Sequence, residues 1–476
     1  MSEKLLYSYP EKEGVDSRAI LDFLNAAEES GAEIHGIMVL IHGKVIFEGY
    51  YAPYAAEIPH IMHSFTKCLT NTAVGLAYSE GLLKLDDPIV KYLPEYADPE
   101  NPYLSKATIR SLITMRSGQQ RSIGGNEWRP LKTSWLDAYF QVNFDKEPGS
   151  TYMYSSGNSY VLSAIVQRLT GKTARDYVWE KVASKIGTRH FDWQLSPEGI
   201  CSGGNGTSLT VDDMARIGLL YLNKGRWQNQ QLLSEEWVDL AMGLKDPIVP
   251  EEGVPEYNFH WEHTGDVWAA RGMFGQTCAL IPSLDMVVAF TAADKMYVLN
   301  NLLQSVLVDG VKCSKAPDGA GREALQAKAR QMSLLEPHKS VAHHVVPEKQ
   351  AFRFRLDGSI DHVVGIGLSF DEDSVQYTMT DNRGTHTVRA GLDSWISGET
   401  TMTGAYLHHQ YEMESAKISA CAYWSDEKTL TMAWRYPEMA FFDHLSVTWE
   451  ETGLRINRWV NMNSQDLRRP ELTVSF

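Results

Sequence analysis

The sequence predicts an α/β (α+β) chain: an antiparallel sheet flanked by helices, with a mostly helical region inserted into it, followed by a C-terminal antiparallel β domain. Three observations carry that expectation. β-rich segments stand near residue 40 and again near residue 280, helical periodicity fills the space between, and strand alternation resumes past residue 350. At 476 residues the chain exceeds the roughly 100 to 200 of one domain. Its 43% apolar residues, with 13 Trp and 22 Tyr, suffice for cores without metal or disulfide staples.

Residues 34–50 read as two β-rich runs joined at His42-Gly43-Lys44, where glycine permits the positive φ of a tight turn. From Ser64 the residues Phe65, Cys68, Leu69, Ala73, Leu76 and Ala77 recur at three and four, which predicts a helix ending near Gly81. Between about 85 and 240 helical patterns alternate with Gly, Ser and Pro clusters, most clearly at 160–169 and 212–222. Strands are expected at 267–271, 278–281 and 286–291, punctuated by Gly272, Gly275 and Pro282-Ser283. Residues 1–320 thus form one expected domain. Residues 321–349, next to a polar stretch at 313–321 and carrying a short helix at 323–332, form a linker. Residues 350–476 read as a separate half-buried sheet or small barrel: 352–356 alternates, 375–379 leads into Asn382-Arg383-Gly384, and 418–424 pairs with 430–434 across Ser425-Asp426-Glu427-Lys428.

Charge and composition exclude several function classes. Sixty acidic against 44 basic residues leave a net charge of −16, a poor match to a phosphate backbone, so no nucleic-acid partner is expected. The amino terminus has no basic segment followed by an apolar run, and no stretch reaches the roughly 18 to 20 apolar residues of a membrane span. Five scattered cysteines without a CxxC pair suggest neither metal nor redox cofactor, and point to a reducing, cytoplasmic setting. His343-His344 and His408-His409 are adjacent pairs whose side chains would diverge on a strand, which disfavours a metal site. Nucleophile-elbow, HExxH, Walker and dinucleotide glycine patterns are missing from the sequence. Oligomeric state is left open.

The chemistry concentrates in His63-Ser64-Phe65-Thr66-Lys67. A serine opening a helix, with a lysine three residues on, puts hydroxyl and amine on one face. Such a serine needs a nearby base and the positive end of the helix dipole. For Lys67 to be that base its pKa must fall from about 10.4 to near neutrality, at a cost of roughly 4 kcal/mol. The same spacing recurs at Ser425 to Lys428 in a charged hairpin turn, where a solvated lysine is the expected outcome. A second element is Tyr154-Ser155-Ser156, between Glu147-Pro148-Gly149-Ser150 and a helix from about Asn158. Its phenol is either a buried anchor or, if close to Lys67, a proton shuttle.

Ser64-x-x-Lys67, the Tyr154-Ser155-Ser156 loop and the downstream hairpin together resemble the penicillin-recognising serine hydrolases: class C β-lactamases, D-Ala-D-Ala peptidases, esterases and 6-aminohexanoate-dimer hydrolases. Residues 81–88, 112–118 and 154–171 agree, and the resemblance spans about residues 15 to 310. It implies a β-lactamase-like fold for that part. It also implies Ser64 as acylated nucleophile, Lys67 as proton acceptor and Tyr154 as partner in protonating the leaving group and activating water. An oxyanion hole would combine the Ser64 N–H with one from the edge strand of the late hairpin.

Two departures matter. The family's second motif often ends in Asn where this chain has Ser156. The third, usually Lys-Thr-Gly or His-Thr-Gly, is spelled by His263-Thr264-Gly265, but Gly265 stands ten residues before Gly275. Ala270-Arg271-Gly272 is therefore the favoured equivalent, with Met273 the N–H donor. On this reading Arg271 offers charge to a substrate carboxylate, unless it is simply paired with an acid. Gly203-Gly204-Asn205-Gly206 reads as a flexible loop, either cleft-side or a plain connection. The expected function is a serine hydrolase acting through an acyl-enzyme on a small ester or amide. A β-lactamase or D-Ala-D-Ala peptidase, and an idle binding or scaffold protein of the same fold, are the alternatives.

Overall fold

In the strand Glu33–Ile41 every residue after the first is buried, so it lacks alternation and must be covered on both faces. The computed structural model describes residues 4–243, 252, 255–314, 319–345, 347, 351–402, 404 and 406–476. In it this strand lies inside an eight-stranded sheet. The order is Leu6–Tyr7, Lys44–Tyr50, Glu33–Ile41, Met286–Ala293, Gln276–Ile281, Val267–Gly272, Trp261–Thr264, Glu256–Asn258. All neighbours are antiparallel except the first pair. The expected hairpin turn is His42-Gly43, both at positive φ, 50° and 70°.

Thr277 faces Phe290 across the two central strands, so Cys278 and Phe290 point to opposite faces. Cys278 lies under the helix Val211–Leu222, whose Gly218 approaches so closely that a Cβ would stand 2.5 Å from the sulfur. Phe290 packs on Phe23 of the helix Ser17–Glu29, ring centroids 6.3 Å apart. Helices thus cover both faces. The helical insertion also contributes two strands to a small sheet that periodicity did not reveal, ordered His60–Ile61, Thr207–Leu209, Asp192–Trp193.

The chain forms two compact units, Met1–Tyr50 with Pro59–Met332, and Tyr51–Ile58 with Ser333–Phe476. This corrects the expected boundaries at 320 and 350. The helix Ala320–Gln331 belongs to the first unit because Leu325 is buried, Gly321 abuts Arg18, and Lys328 pairs with Glu28 at 2.5 Å. Ser333 bridges Ala52, and Leu334 N–H donates to the Ala52 carbonyl at 2.7 Å, which places 51–58 in the second unit. Residues 315–318 of the polar stretch and 348–350 at the expected boundary lie outside the described residues.

The second unit is built on one ten-stranded sheet from Ala351–Arg355 to Leu472–Ser475. Its two edges are drawn together by Phe476, whose ring lies 6.1 Å from Phe352 and 6.3 Å from Phe354, giving a near-closed barrel. Trp424 pairs with Leu430 across the expected Ser425 turn. His408 and His409 sit in a turn, and His343 and His344 also lie off any strand, so the divergence argument from strand geometry does not apply to them. His408 and His409 are separated by their partners instead: His408 pairs with buried Asp443 at 2.8 Å, and His409 bonds Ser464 at 2.7 Å.

Candidate active site

Ser64 lies on a 3-10 turn, His63–Phe65, that runs directly into the helix Thr66–Ser79. Two elements fix the approach to it. Ile61 pairs with Ser208 in the small sheet, and Met62 N–H donates to the Thr207 carbonyl at 2.8 Å. From the other side comes Gly272, at the end of its strand, where a Cβ would stand 2.1 Å from the Met62 carbonyl oxygen. Only glycine allows that approach. His63 takes a φ of 48°, a conformation that costs a side-chain-bearing residue roughly 1–2 kcal/mol and aims the following hydroxyl.

Lys67, one turn along, is 1% exposed. Its Nζ has three oxygen neighbours: Ser64 Oγ at 3.1 Å, Ser156 Oγ at 3.0 Å and the Gly204 carbonyl at 2.7 Å. Burial, helped by the charge of Arg129 and opposed by Glu262, lowers its pKa to about 7. A folded pKa of about 7 against 10.5 for a free lysine means that the unfolded chain binds more protons in that window. The site therefore costs on the order of 5 kcal/mol below about pH 7, and the cost fades as pH rises toward 10.5. The neighbours also decide where the amine's lone pair points. A carbonyl can only accept, so one N–H is committed to Gly204, and a second goes to Ser156. The neutral amine then has its lone pair free for the Ser64 O–H.

Tyr154 joins this group. Lys67 Nζ lies 4.7 Å from its ring centroid, and the Ser64 hydroxyl works against the upward pull of burial on the phenol's pKa. The residue as a whole is 38% exposed, but its phenol end is deep enough that burial pushes its pKa far up. It remains a protonated phenol at neutral pH. A phenol held protonated can pass a proton on but cannot serve as a phenolate base, and its ring face favours the cationic form of Lys67. Tyr257 packs edge-on against it, centroids 5.7 Å apart.

Ser156 opens the helix Ser156–Thr170. Where the resemblance leads one to expect Asn, this shorter side chain still meets the amine, through one oxygen. Gly204 is a site residue that the sequence reading missed. The loop read as flexible is buried through Asn205, and its glycines are there for close approach. A Cβ would stand 2.2 Å from the Ser159 carbonyl at Gly203 and 2.7 Å from Ser156 Cβ at Gly204. The available signal was two adjacent glycines just before a stretch patterned for burial.

Ala270, Arg271 and Gly272 form the end of the strand that passes Met62, two residues before Ser64. The Gly272 carbonyl accepts from Gly275 N–H at 3.2 Å. The N–H of the same trans peptide, that of Met273, consequently points the opposite way. His263-Thr264-Gly265 lies at the other end of this strand: Thr264 pairs with Val267, and Gly265 occupies the turn at a φ of 58°. The whole strand Val267–Gly272, roughly 17 Å of extended chain, lies between that turn and the Gly272 end. His263 is occupied there, bonded to Glu256 at 2.6 Å and stacked on Trp268. Arg271 is already paired, Nη1 to Glu262 at 2.8 Å, so its charge is not freely available to a substrate carboxylate.

Among the described residues no cluster of His, Cys, Asp or Glu could hold a metal ion, and no helix is long and apolar enough to cross a membrane.

Comparison with known proteins covers both units. The 6-aminohexanoate-dimer hydrolase of Paenarthrobacter ureafaciens is 27% identical over 285 residues, 53% of this chain and 70% of that protein. The octameric penicillin-binding protein homologue of Pyrococcus abyssi superposes with a TM-score of 0.51 at 16% identity, covering 96% of this chain and 99% of that one. EstCE1, a hydrolase with promiscuous acyltransferase activity, covers 63% of this chain and 99% of its own, at 16% identity and a TM-score of 0.50. At these identities the two structures establish the fold alone. The Beta-lactamase family model matches residues 24–296, more than half of the sequence and the part that carries Ser64, Lys67, Tyr154 and Gly272. This chain therefore belongs to the Beta-lactamase family of hydrolases.

Proposed function

We propose that the chain is a serine hydrolase that transfers the acyl group of a small ester or amide to Ser64 and then to water. The observation that carries this reading is the buried Lys67 amine, 3.1 Å from the Ser64 hydroxyl and held by two further oxygens, with its pKa lowered to about 7. In the acylation step neutral Lys67 takes the Ser64 proton as Oγ attacks the substrate carbonyl carbon. The N–H groups of Ser64 and Met273 receive the oxyanion. The C–O or C–N bond then breaks, and Tyr154 donates its proton to the departing oxygen or nitrogen while the Lys67 ammonium restores the phenol. A water retraces the path: its proton passes to Lys67, its oxygen adds to the acyl carbon, and Ser64 leaves with the proton returned. Arg271, Gly272 and Ser156 line the substrate side, with Ser156 supplying a single hydroxyl where an acyl-group amide would meet an asparagine. That substitution, together with the hydrolase names among the relatives, favours an ester or small amide over a β-lactam.

The test combines a fluorophosphonate probe with a panel of p-nitrophenyl esters, nitrocefin and D-amino-acid amides. The expected result is covalent labelling mapped to Ser64, with ester turnover exceeding nitrocefin turnover. Native protein that neither labels at Ser64 nor turns over any panel member would leave only a binding or scaffold role; preference for nitrocefin would move the assignment to a β-lactamase.

A further inference from the structure

His260 is a buried residue for which the acyl-transfer chemistry has no direct use. It occupies a two-residue turn between Glu256–Asn258 and Trp261–Thr264, where Asn258 faces Trp261. Both turn residues are left-handed, Phe259 at φ 43° and His260 at φ 68°. Such turns ordinarily use Asn-Gly because each side-chain-bearing residue there costs roughly 1–2 kcal/mol. Here two large rings take the positions and are buried, at 0% and 3% exposure. Strain of that kind persists only where the surroundings over-determine it.

The surroundings are the two helices of the active site. His260 Nδ1 lies 2.8 Å from the backbone carbonyl of Lys67, and Nε2 lies 3.1 Å from Ser159 Oγ. A carbonyl can only accept, so Nδ1 carries the hydrogen, and Nε2 of the neutral ring accepts from the Ser159 hydroxyl. Ser159 stands one helical turn after Ser156, the residue whose hydroxyl holds the Lys67 amine. The Phe259 carbonyl adds a second tie to the nucleophile helix, accepting from Asn71 Nδ2 at 2.6 Å. One imidazole thus spans from the peptide of the base to the helix that supplies the base with its partner.

We propose that His260 is a positioning residue: by bridging the Lys67 carbonyl and Ser159 it sets the separation of the two helices, and thereby keeps the Lys67 amine dry and aimed at Ser64. Burial and the charge of Lys67 hold the imidazole neutral, with a pKa lowered to about 3, so the bridge keeps one tautomer wherever the enzyme works. The inference rests on the assignment of Lys67 as the base of Ser64. It deepens that assignment by naming what keeps the base in a state to act.

The experiment follows the rate of fluorophosphonate labelling of the full chain against pH, with ester kcat and KM measured in parallel. In His260→Ala the labelling rate and kcat are expected to fall about 10- to 100-fold with KM within about twofold. The apparent pKa of the rise is expected to move up from the wild-type value, because a loosened contact lets water solvate the Lys67 ammonium. His260→Asn, whose amide N–H can reach the Lys67 carbonyl in place of Nδ1, should recover much of both. Ser159→Ala, which removes only one hydroxyl, should shift the pKa in the same direction by less. If His260→Ala and Ser159→Ala are folded and keep the wild-type pKa, or lose activity only in proportion to unfolded protein, the proposal is wrong. Should His260→Ala fail to fold, Ser159→Ala and His260→Asn decide the question in the same way. Failure of the underlying assignment looks different, since wild-type protein would then not label at Ser64 at all.

Discussion

Ser64-x-x-Lys67 and Ser425-x-x-Lys428 share a spacing and little else. Lys67 lies on a helix that is buried along nearly its whole length, and its amine meets only protein oxygens. Lys428 is exposed, in a hairpin turn whose conformation is fixed by its own backbone N–H on Asp426 at 2.8 Å. Ser425 is spent on the turn as well, donating to the Thr429 carbonyl at 3.3 Å and accepting from Thr431 at 2.9 Å. Spacing brings a hydroxyl and an amine into reach only where the backbone is helical, and reach becomes chemistry only where water is excluded. The difference lies in the third dimension around the motif.

Four substitutions test that contrast most severely. Ser64→Ala should lower ester kcat/KM by about 10³-fold or more and abolish fluorophosphonate labelling, and Lys67→Ala should lower it by about 10²- to 10⁴-fold. Ser425→Ala and Lys428→Ala should leave kcat/KM within about twofold and stability within about 0.5 kcal/mol. Ester turnover that survives in Ser64→Ala, or that falls in either hairpin variant, would break the comparison.

Much of this was legible in the chain. The sheet strands, the helix that follows Ser64 and the barrel-like second unit follow from apolar periodicity, because a buried face repeats with the backbone. Ser64, Lys67 and Tyr154 could be singled out as candidates because their patterns are local, and the structure brings the three together. Gly204 and His260 were not, because their roles come from contacts 137 and 193 residues away in sequence, and nothing near them in the chain records the partner. The segment 51–58 was assigned to the wrong unit for the same reason: its bridge to Ser333 is a long-range pairing without a periodic signature. His263-Thr264-Gly265 shows the converse hazard, since this literal motif match stands at the far end of the strand from Gly272, which abuts Met62.

Glycines sharpen the contrast between crowded and open regions at a smaller scale. An alanine at Gly204 would push its Cβ to 2.7 Å from Ser156 Cβ and 2.8 Å from the Ser156 carbonyl oxygen, against the residue whose hydroxyl meets the Lys67 amine. Gly204→Ala should cost about 1–3 kcal/mol by denaturant unfolding and lower kcat about tenfold or more. Gly398, on a strand of the second unit, has nothing within 4 Å of its would-be Cβ. Gly398→Ala should be neutral or stabilising by up to roughly 1 kcal/mol, with unchanged turnover. Equal effects at the two positions would mean that the Gly204 carbonyl does not hold the Lys67 amine in place.

The mildest test alters the electrostatics of Lys67 from a distance. If neutral Lys67 is the working form, kcat/KM rises with pH through an apparent pKa near 7, since protons leave the amine in that range. Arg129 is a buried contributor to that low value, because its positive charge disfavours a second one nearby. Arg129→Gln removes the charge, so the cationic amine becomes easier to form and the pKa moves up. Activity at pH 6 should then fall by a factor of order two to five, while the plateau above pH 9 stays near wild type. Arg129→Lys keeps the charge and should restore the wild-type midpoint. The control in the second motif is a solvated amine, where Lys428→Gln leaves the profile unmoved. A midpoint shifted equally by Arg129→Gln and Arg129→Lys would assign the effect to packing rather than charge; a midpoint that fails to rise in Arg129→Gln would mean that the charge of Arg129 does not act on the group that titrates near pH 7.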